Sequence, residues 1–343
     1  MLPLKRKMDY LSRIKAPIEG ELALFNDYFC EALSHADGLL AQALGHIARR
    51  KGKRIRPMLV LLLAKSAGGV SEATLNVAVG LELLHTASLV HDDVVDESDA
   101  RRGQPSVNAS YNNKVAVLVG DYLLSSALLS VARADNGHIV EQIAALGQTL
   151  AGGEILQLST IGSDDISEDT YYEVVQQKTA SFFEACCVCG LLSAGGTHDD
   201  KTEAARRFGR DIGMMFQIRD DIFDYYPSAD IGKPTGNDMA EGKLTLPALY
   251  AIAQGTAADG TTSDCEPSTA LTIARKIKTR QATTGDIAWM VDYSKQQGGI
   301  DYAVRRMHDF HAAAQEYITA NVTAPDIQDA LKAYIDFVVE RSK

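Results

Sequence analysis

Two acidic clusters with the same spacing lie in apolar, helix-like stretches of this sequence. On a helix, residues four positions apart lie on the same face one turn apart, so the first and last carboxylates of each cluster project together. Clustered carboxylates repel one another unless a cation lies between them. Hard oxygen ligands in this number suit Mg2+, which keeps some waters and binds substrate phosphates. Both clusters have the form D-D-x-x-D: Asp92, Asp93 and Asp96 in the first, and Asp220, Asp221 and Asp224 in the second.

One such cluster alone is usually a solvated helix end. Two copies, each beside buried-type residues such as Leu89 and Phe216, favour a shared function. We therefore expect a cavity between two helices, with a metal-bound diphosphate in its middle.

Basic residues accompany the first cluster. Arg101 and Arg102 follow it, and Lys53, Arg54 and Arg56 lie upstream, where a glycine and a proline open an apolar stretch. Arginine binds phosphate oxygens in pairs, and cations at a helix start favour bound anions. A basic cluster at a helix start is usually just solvated, but beside two acidic clusters it predicts diphosphate binding.

Two lysines follow the second cluster, on a loop rich in glycine and proline near residues 227–247. They are Lys233 and Lys243. Such a loop can close over a phosphate site as a lid that excludes water. Without the acidic clusters, the two lysines would be unremarkable.

The rest of the sequence is typical of helices. Apolar residues recur at spacings of three and four, as in Leu81, Leu84 and Ala87, and alternating strand-type segments are rare. Gly68 and Gly69 end one helix, and Ser71 can cap the next. These patterns predict an all-α fold, a bundle of long helices in a single domain over residues 1–343. A polar insertion is expected near residues 255–268.

Composition excludes several other classes of protein. The chain has 343 residues, 46% of them hydrophobic, and a net charge of -11, which argues against a nucleic-acid partner. The acidic balance also disfavours an anionic substrate unless metal ions reverse the local charge. No apolar run reaches the roughly 18 residues that span a bilayer, and no such run follows the basic start. We therefore expect a cytoplasmic protein without an integral membrane segment. A strongly hydrophobic product would require peripheral membrane contact.

The five cysteines do not predict a disulfide framework, since the number is odd and three of them crowd together. Cys186, Cys187 and Cys189 also lack the paired spacing of a zinc site. We interpret them as small buried residues on a helix.

In these motifs the chain resembles the trans-isoprenyl diphosphate synthases, the polyprenyl synthetase family. GKRIRP, LVHDDVVDESDARRG, the QKT of Gln177 to Thr179, and GMMFQIRDDIFD occur in the order typical of that family. The resemblance implies an isoprenoid synthase-type fold, in which long helices surround a deep central cavity and the two aspartate motifs face each other. It also implies a homodimer.

The resemblance assigns roles to single residues. Asp92, Asp96 and Asp220 are implied to bind Mg2+ directly, about three ions per site, with Asp93, Asp221 and Asp224 supporting them. Thr179 and Gln217 are implied to line the reacting centre. Residues implied to hold the allylic diphosphate are Arg101, Lys178 and Lys233. Residues implied to hold isopentenyl diphosphate are Lys53, Arg56, His85 and Arg102, and Lys243 is expected to bind substrate from the lid.

The residues expected to act in catalysis are Asp92, Asp96, Arg101, Lys178, Thr179, Gln217, Asp220 and Lys233. The implied reaction joins isopentenyl diphosphate to an allylic diphosphate such as farnesyl diphosphate. Clustered cations stabilise the departing diphosphate. A dry cavity protects the allylic cation from water.

Two small residues bear on product length. Ala87 and Ser88 lie one turn before Asp92, so they would meet the growing tail about 6–8 Å from the metals. Small side chains leave the tail path open, which favours a long product of about C30 to C50. Small residues can also merely permit close helix packing. The sequence around the first motif is most similar to that of octaprenyl-type enzymes, which supply quinone side chains.

Four alternatives stay open from sequence. A short-chain farnesyl or geranylgeranyl synthase shares these motifs. A terpene cyclase or head-to-head synthase shares the fold, but a cyclase generally carries a different second metal motif and lacks the isopentenyl site. A non-catalytic subunit of a heteromeric synthase tends to lose motif aspartates, whereas all six are present here.

Overall fold

Helices make up nearly all of the regular structure. The computed structural model describes residues 9–34, 37–49, 52–101, 103–197, 199–227, 235–258 and 269–341. Within these ranges two short strands pair antiparallel, β1 (Ala100–Arg101) and β2 (Gln104–Pro105), with Arg101 opposite Gln104. The prediction of an all-α fold is confirmed.

The helices in the first half of the chain are α1 (Tyr10–Lys15), α2 (Glu19–Ala32), α3 (Gly38–Ala48), α4 (Ile55–Ala67), α5 (Glu72–Val95), α6 (Val107–Tyr111), α7 (Asn113–Ala132) and α8 (Gly137–Thr160). A 3-10 turn, Ala16–Ile18, joins α1 to α2. Those that follow are α9 (Glu168–Val175), α10 (Ser181–Ser193), α11 (Asp200–Asp224), α12 (Asn237–Ala240), α13 (Leu246–Ala258), α14 (Thr269–Lys278), α15 (Thr284–Gln296), α16 (Gly299–Asn321) and α17 (Pro325–Glu340). A π-helical turn, Gln176–Ala180, lies between α9 and α10.

The described residues group into two compact units. The first unit draws on Met1–Gly147, Phe183–Gly209 and Tyr317–Tyr334, and the second on Gln148–Phe182, Arg210–Glu316 and Ile335–Lys343. The first aspartate cluster lies in the first unit and the second cluster in the second. The expectation of a single domain stays a prediction.

In the first unit, α5 carries the first aspartate cluster in its last turn. Ser71 begins this helix with a reciprocal cap, since its hydroxyl accepts from the backbone N–H of Thr74 and its own N–H donates to the Thr74 hydroxyl. The helix packs closely on α7. A side-chain carbon at Gly80 would lie only 3.1 Å from the carbonyl oxygen of Ala127, so glycine is required for this approach.

In the second unit, α11 ends in the second aspartate cluster. A side-chain carbon at Gly213 would lie 2.4 Å from the Cα of Ala180, so the α11 backbone lies directly on the π-helical turn. This contact sets the QKT segment beside the second cluster. A separate apolar core in this unit includes Tyr225, Ile277 and Met290.

Two predicted loops differ from the structure. The predicted polar insertion begins later than residue 255, because α13 continues to Ala258, and alanine favours helix; residues 259–268 lie outside the described residues. The predicted lid loop near 227–247 contains the short helix α12, and residues 228–234 of that loop lie outside the described residues as well.

Two helices are long and apolar enough to cross a membrane by length and composition alone, α5 and α7. Core helices pass the same test, and the apolar window of α5 is 72% buried. The corresponding window of α7 is only 39% buried, and Leu118 and Leu129 on this helix are 67% and 64% exposed. An apolar face of α7 is therefore open to solvent in the single chain.

Candidate active site

The first aspartate cluster contains one buried and two accessible carboxylates. Asp93 is fully buried, and its Oδ1 accepts a hydrogen bond of 2.5 Å from Nε of Arg101. Its other oxygen, Oδ2, is buried without a hydrogen-bond partner in the described residues. Asp92 is half-buried and Asp96 is exposed. Asp93 therefore fixes Arg101, whereas Asp92 and Asp96 can reach a ligand.

Basic residues cluster beside this motif. Nη1 of Arg56 lies 3.0 Å from Nε2 of His85. Because a guanidinium only donates, this histidine nitrogen must be the acceptor, which places the ring proton on Nδ1. His85 and Arg101 line one small cavity of about 50 Å³, together with Arg54. Three of the residues predicted to bind diphosphate are thus neighbours.

Arg54 anchors the segment that precedes α4. Its backbone is left-handed, with φ of 54°. Its guanidinium bonds to Glu82 at 2.7 Å and lies 4.3 Å from the ring centre of Phe29. These contacts fix the backbone between Lys53, which is exposed, and Arg56. Arg102 lies outside the described residues.

The second cluster is held by a chain of hydrogen bonds. Asp221 is buried and accepts from the Tyr171 hydroxyl at 2.6 Å and from the Gln217 amide at 2.8 Å. The amide oxygen of Gln217 in turn accepts from the Thr179 hydroxyl at 2.9 Å. The QKT segment and the second cluster therefore form one polar network.

Asp224 and Asp220 have different surroundings. Asp224 is buried and accepts from the backbone N–H groups of Asn237 and Asp238, each at 3.1 Å, so it caps the start of α12. The side chain of Asp220 is 38% exposed, and its Oδ1 lies 2.7 Å from Nη2 of Arg341. Asp224 thus stabilises the start of α12, whereas Asp220 is accessible to solvent.

Both clusters therefore contain buried and accessible carboxylates, one buried and two accessible in the first and two buried and one accessible in the second. The buried carboxylates bond to protein donors, and the accessible ones can meet a ligand. The metal roles that the family resemblance implies stay a prediction. The buried members are Asp93, Asp221 and Asp224, and the accessible members are Asp92, Asp96 and Asp220.

Negative charge is poorly compensated around the second cluster. Burial, then the neighbouring Asp238, raise the pKa of Asp221 to about 8. Burial, then Asp224, raise the pKa of Asp238 to about 6. Both shifts mean that the ionised carboxylates would gain from a nearby cation.

No group of three or more His, Cys, Asp or Glu side chains converges on one metal position in the described parts of the chain. Mg2+ is commonly held by only one or two carboxylates, with waters and substrate phosphates in its other positions. The buried, unbonded Oδ2 of Asp93 and the raised pKa of Asp221 both fit a cation bound near these carboxylates.

A cavity of about 250 Å³ in the second unit collects several predicted residues. The π-helical turn supplies two of them; such turns are frequent at functional sites. One of these, Lys178, pairs with Glu154. Outside the predicted set, Lys278 also reaches this cavity, and burial lowers its pKa. The predicted residues that line the cavity are Lys178, Thr179, Gln217, Asp221 and Lys243.

Sequence reasoning missed several residues of the site. Asp238 could have been found, since it is an acidic residue in the same predicted lid loop as Lys243. Tyr171, Glu154, Lys278 and Arg341 carry no motif signal in this chain. Lys233 lies outside the described residues.

Comparison with known families gives one extended match. A model described as polyprenyl synthetase matches residues 37–272. Octaprenyl diphosphate synthase of Escherichia coli (strain K12) is 37% identical over 247 residues, which are 72% of this chain and 76% of the relative.

Solved structures agree on the fold. Geranylgeranyl pyrophosphate synthase from Bacteroides thetaiotaomicron is 43% identical with a TM-score of 0.82, covering 97% of this chain and 100% of the other. Polyprenyl synthase from Caulobacter crescentus CB15, complexed with calcium and isoprenyl diphosphate, is 30% identical with a TM-score of 0.85, covering 98% and 99%. The predicted isoprenoid synthase-type fold is confirmed.

The polar network around Asp221 can be tested in the metal-free protein. Tyr171→Phe removes one of two side-chain donors to a buried carboxylate, so we expect the free energy of unfolding to fall by about 1–3 kcal/mol. Denaturant titration in EDTA measures this change. Tyr172→Phe is the neighbouring control, since its hydroxyl accepts a 3.3 Å bond from Arg306 and also bonds to Glu168, both partly exposed, rather than to a buried carboxylate. Equal losses in the two variants would contradict the network.

Proposed function

The chain belongs to the polyprenyl synthetase family, and from this premise we propose that it is a Mg2+-dependent synthase of long all-trans polyprenyl diphosphates. The family is one of prenyltransferases that use isopentenyl diphosphate and an allylic diphosphate. The observation that carries the proposal is that both aspartate clusters combine accessible and buried carboxylates. In each cluster, at least one accessible carboxylate lies beside a buried one that bonds to the protein.

In this proposal Asp92, Asp96 and Asp220 hold Mg2+, about three ions per site. Such ions would neutralise charge on the departing diphosphate. The accessibility of these three side chains and the high pKa of the adjacent Asp221 support the assignment. The buried aspartates are proposed to stabilise the residues around the site. Asp93 bonds to Arg101 and Asp221 bonds to Gln217. Asp224 bonds to the start of α12.

The basic residues are proposed to divide between two diphosphates. Arg56 and His85, which contact each other, hold isopentenyl diphosphate, together with Lys53 and Arg102, which the family resemblance assigns to the same substrate. Arg101, Lys178 and Lys233 hold the allylic diphosphate, and Lys243 joins from the lid side. Support comes from the position of Lys178 and Lys243 on one cavity.

The chemistry follows from these positions. The allylic C–O bond breaks, and its electron pair leaves with diphosphate, whose charge Arg101 and Lys178 stabilise. The double bond of isopentenyl diphosphate then attacks the allylic carbon. A proton leaves the adduct, and the released diphosphate is proposed to accept it. The bonded pair of Thr179 and Gln217 presents fixed dipoles to the reacting centre.

One incubation tests the reaction. Purified protein with Mg2+, farnesyl diphosphate and labelled isopentenyl diphosphate should yield a labelled linear product, and EDTA should abolish it. Chromatography sizes the product. Cyclic hydrocarbon formed without isopentenyl diphosphate would indicate a terpene cyclase instead. Lack of turnover would favour a non-catalytic subunit.

The proposal also includes the length of the product. Ala87 lies seven residues after Gly80 and four before His91, so it shares their helix face. Both of those neighbours approach α7, at Ala127 and Gly120. Ala87, 2% exposed, therefore faces α7 where the tail path is proposed to run. Small residues here favour a long product for quinone side chains. The likeness to a geranylgeranyl pyrophosphate synthase at 43% identity favours the short-chain alternative.

Ala87→Phe tests the tail path. The ring would fill the space between α5 and α7, so the longest product should shorten by several isoprene units, measured by chromatography. Ser88→Phe should act in the same direction. Ala87→Ser is the matched control, because it keeps a small side chain, and its product length should equal that of the parent. An unchanged length in a folded, active Ala87→Phe variant would refute the path.

A homodimer is proposed on the family resemblance and on the apolar face of α7. Leu118 and Leu129 lie three turns apart on one side of this helix and are 67% and 64% exposed. Leu129→Asp should convert a dimer to a monomer, because a buried unpaired charge is costly. Light scattering gives the mass. Leu24→Asp on α2, where leucine is 50% exposed, is the control and should stay dimeric. A monomeric parent protein would overturn this proposal.

A further inference from the structure

We propose that Arg341 is a positioning residue for Asp220 in the second aspartate cluster. Arg341 follows the last residue of α17, far in sequence from every motif discussed above. Its Nη2 donates to Oδ1 of Asp220 at 2.7 Å. This inference rests on the proposed metal role of Asp220.

The guanidinium of Arg341 is held by groups other than Asp220. It lies 4.0 Å from the ring centre of Phe216 and 5.8 Å from that of Phe223. Its Nη2 also donates to the carbonyl oxygen of Phe216 at 3.1 Å. The side chain is only 11% exposed. Cation–π contacts and a backbone acceptor thus fix the planar group in one orientation.

The backbone of Arg341 is fixed as well. Its N–H donates to the carbonyl oxygen of Phe337 at 2.9 Å, which continues the hydrogen bonding of α17 by one residue. Its carbonyl oxygen accepts from Nη2 of Arg219 at 3.3 Å. Arg219 itself lies over Phe223, 4.4 Å from the ring centre. Residue 341 is therefore anchored to α11 by both its side chain and its main chain.

Asp220 is the less constrained partner of the pair. Its side chain is 38% exposed, against 11% for Arg341. An accessible carboxylate on a helix can adopt several rotamers, and one bond to a fixed guanidinium selects among them. The bond between Oδ1 and Arg341 thus fixes the direction in which the accessible carboxylate of Asp220 faces. Arg341 thus acts on a metal ligand as outer partners of such ligands commonly do.

Two physical effects oppose each other here. Orientation of the carboxylate strengthens metal binding, and loss of such a partner typically weakens it by about 10–100-fold. The positive charge of Arg341 repels a divalent cation, so its loss alone would strengthen binding. Because the exposed side of Asp220 is solvated, the repulsion is screened and orientation should prevail. The sign of the change in affinity distinguishes the two effects.

The test measures binding of Mn2+, in place of Mg2+, by electron paramagnetic resonance without any substrate. Arg341→Gln should weaken Mn2+ binding by about 10–100-fold, as should Asp220→Asn. The double variant should bind no more weakly than Asp220→Asn alone, because Arg341 acts through that carboxylate. Unchanged or tighter binding by Arg341→Gln would overturn the proposal, and so would losses that multiply in the double variant.

Two further variants separate positioning from folding. Arg341→Lys keeps the charge but not the planar group, so its Mn2+ affinity should fall between those of the parent and Arg341→Gln; parental affinity would show that charge alone suffices and would overturn the proposal. Arg306→Gln is the matched control, since Arg306 also bonds to a carboxylate, Asp309, and lies over Tyr172. Its affinity should be parental, and a loss equal to that of Arg341→Gln would overturn the proposal.

The same measurements test separately the proposed metal role of Asp220 and the proposed positioning role of Arg341. If Asp220→Asn binds Mn2+ like the parent, the proposed metal role of Asp220 is wrong. If Asp220→Asn weakens binding and Arg341→Gln does not, only the role of Arg341 is wrong. Denaturant unfolding of each variant ensures that affinities refer to folded protein.

Discussion

Repulsion between clustered carboxylates is the constraint on which the second unit depends. Asp220, Asp221 and Asp224 share the last turn of α11, and Asp238 adds a fourth carboxylate from the segment that follows. The three aspartates of α11 have different partners. Asp220 bonds to an arginine, Asp221 to neutral donors, and Asp224 to backbone amides at the start of α12. Burial, and then the neighbouring Asp238, outweigh these neutral donors and raise the pKa of Asp221 to about 8. A divalent cation is the remaining means of stabilising the ionised cluster.

The first unit meets the same constraint with fewer donors. Asp93 is buried against Arg101, and the accessible Asp92 and Asp96 lie toward solvent. In both units, the second aspartate of the cluster, Asp93 or Asp221, is buried, and the first is more accessible, because the two lie on different parts of the helix face. The spacing does not decide the last position, since Asp96 is exposed whereas Asp224 is buried against the start of α12.

Local patterns account for what the sequence could predict. The helices α5, α7 and α11 follow from apolar spacing and caps, and the aspartate clusters follow from spacing within one helical turn. Tyr171, Glu154 and Arg341 could not be predicted in this way, since each meets its partner through tertiary packing. Tyr171 reaches Asp221 from α9, and Arg341 reaches Asp220 from the end of α17. The start of the predicted insertion was placed too early, at residue 255, because alanines continue the helix to Ala258.

The pairing of the basic residues explains why an acidic chain would need metal ions to hold diphosphate. Arg101 bonds to Asp93, Lys178 pairs with Glu154, and Lys243 lies 2.6 Å from Glu241. These three predicted phosphate-binding cations therefore already have carboxylate partners. A diphosphate that approached these three side chains alone would meet groups whose charge is largely neutralised, as well as the closely spaced carboxyl groups of Asp221 and Asp238. In the proposed function, an added positive charge beside the aspartates would make the local field attractive to an anionic substrate, so metal binding and substrate binding would be coupled by the charges of the protein itself.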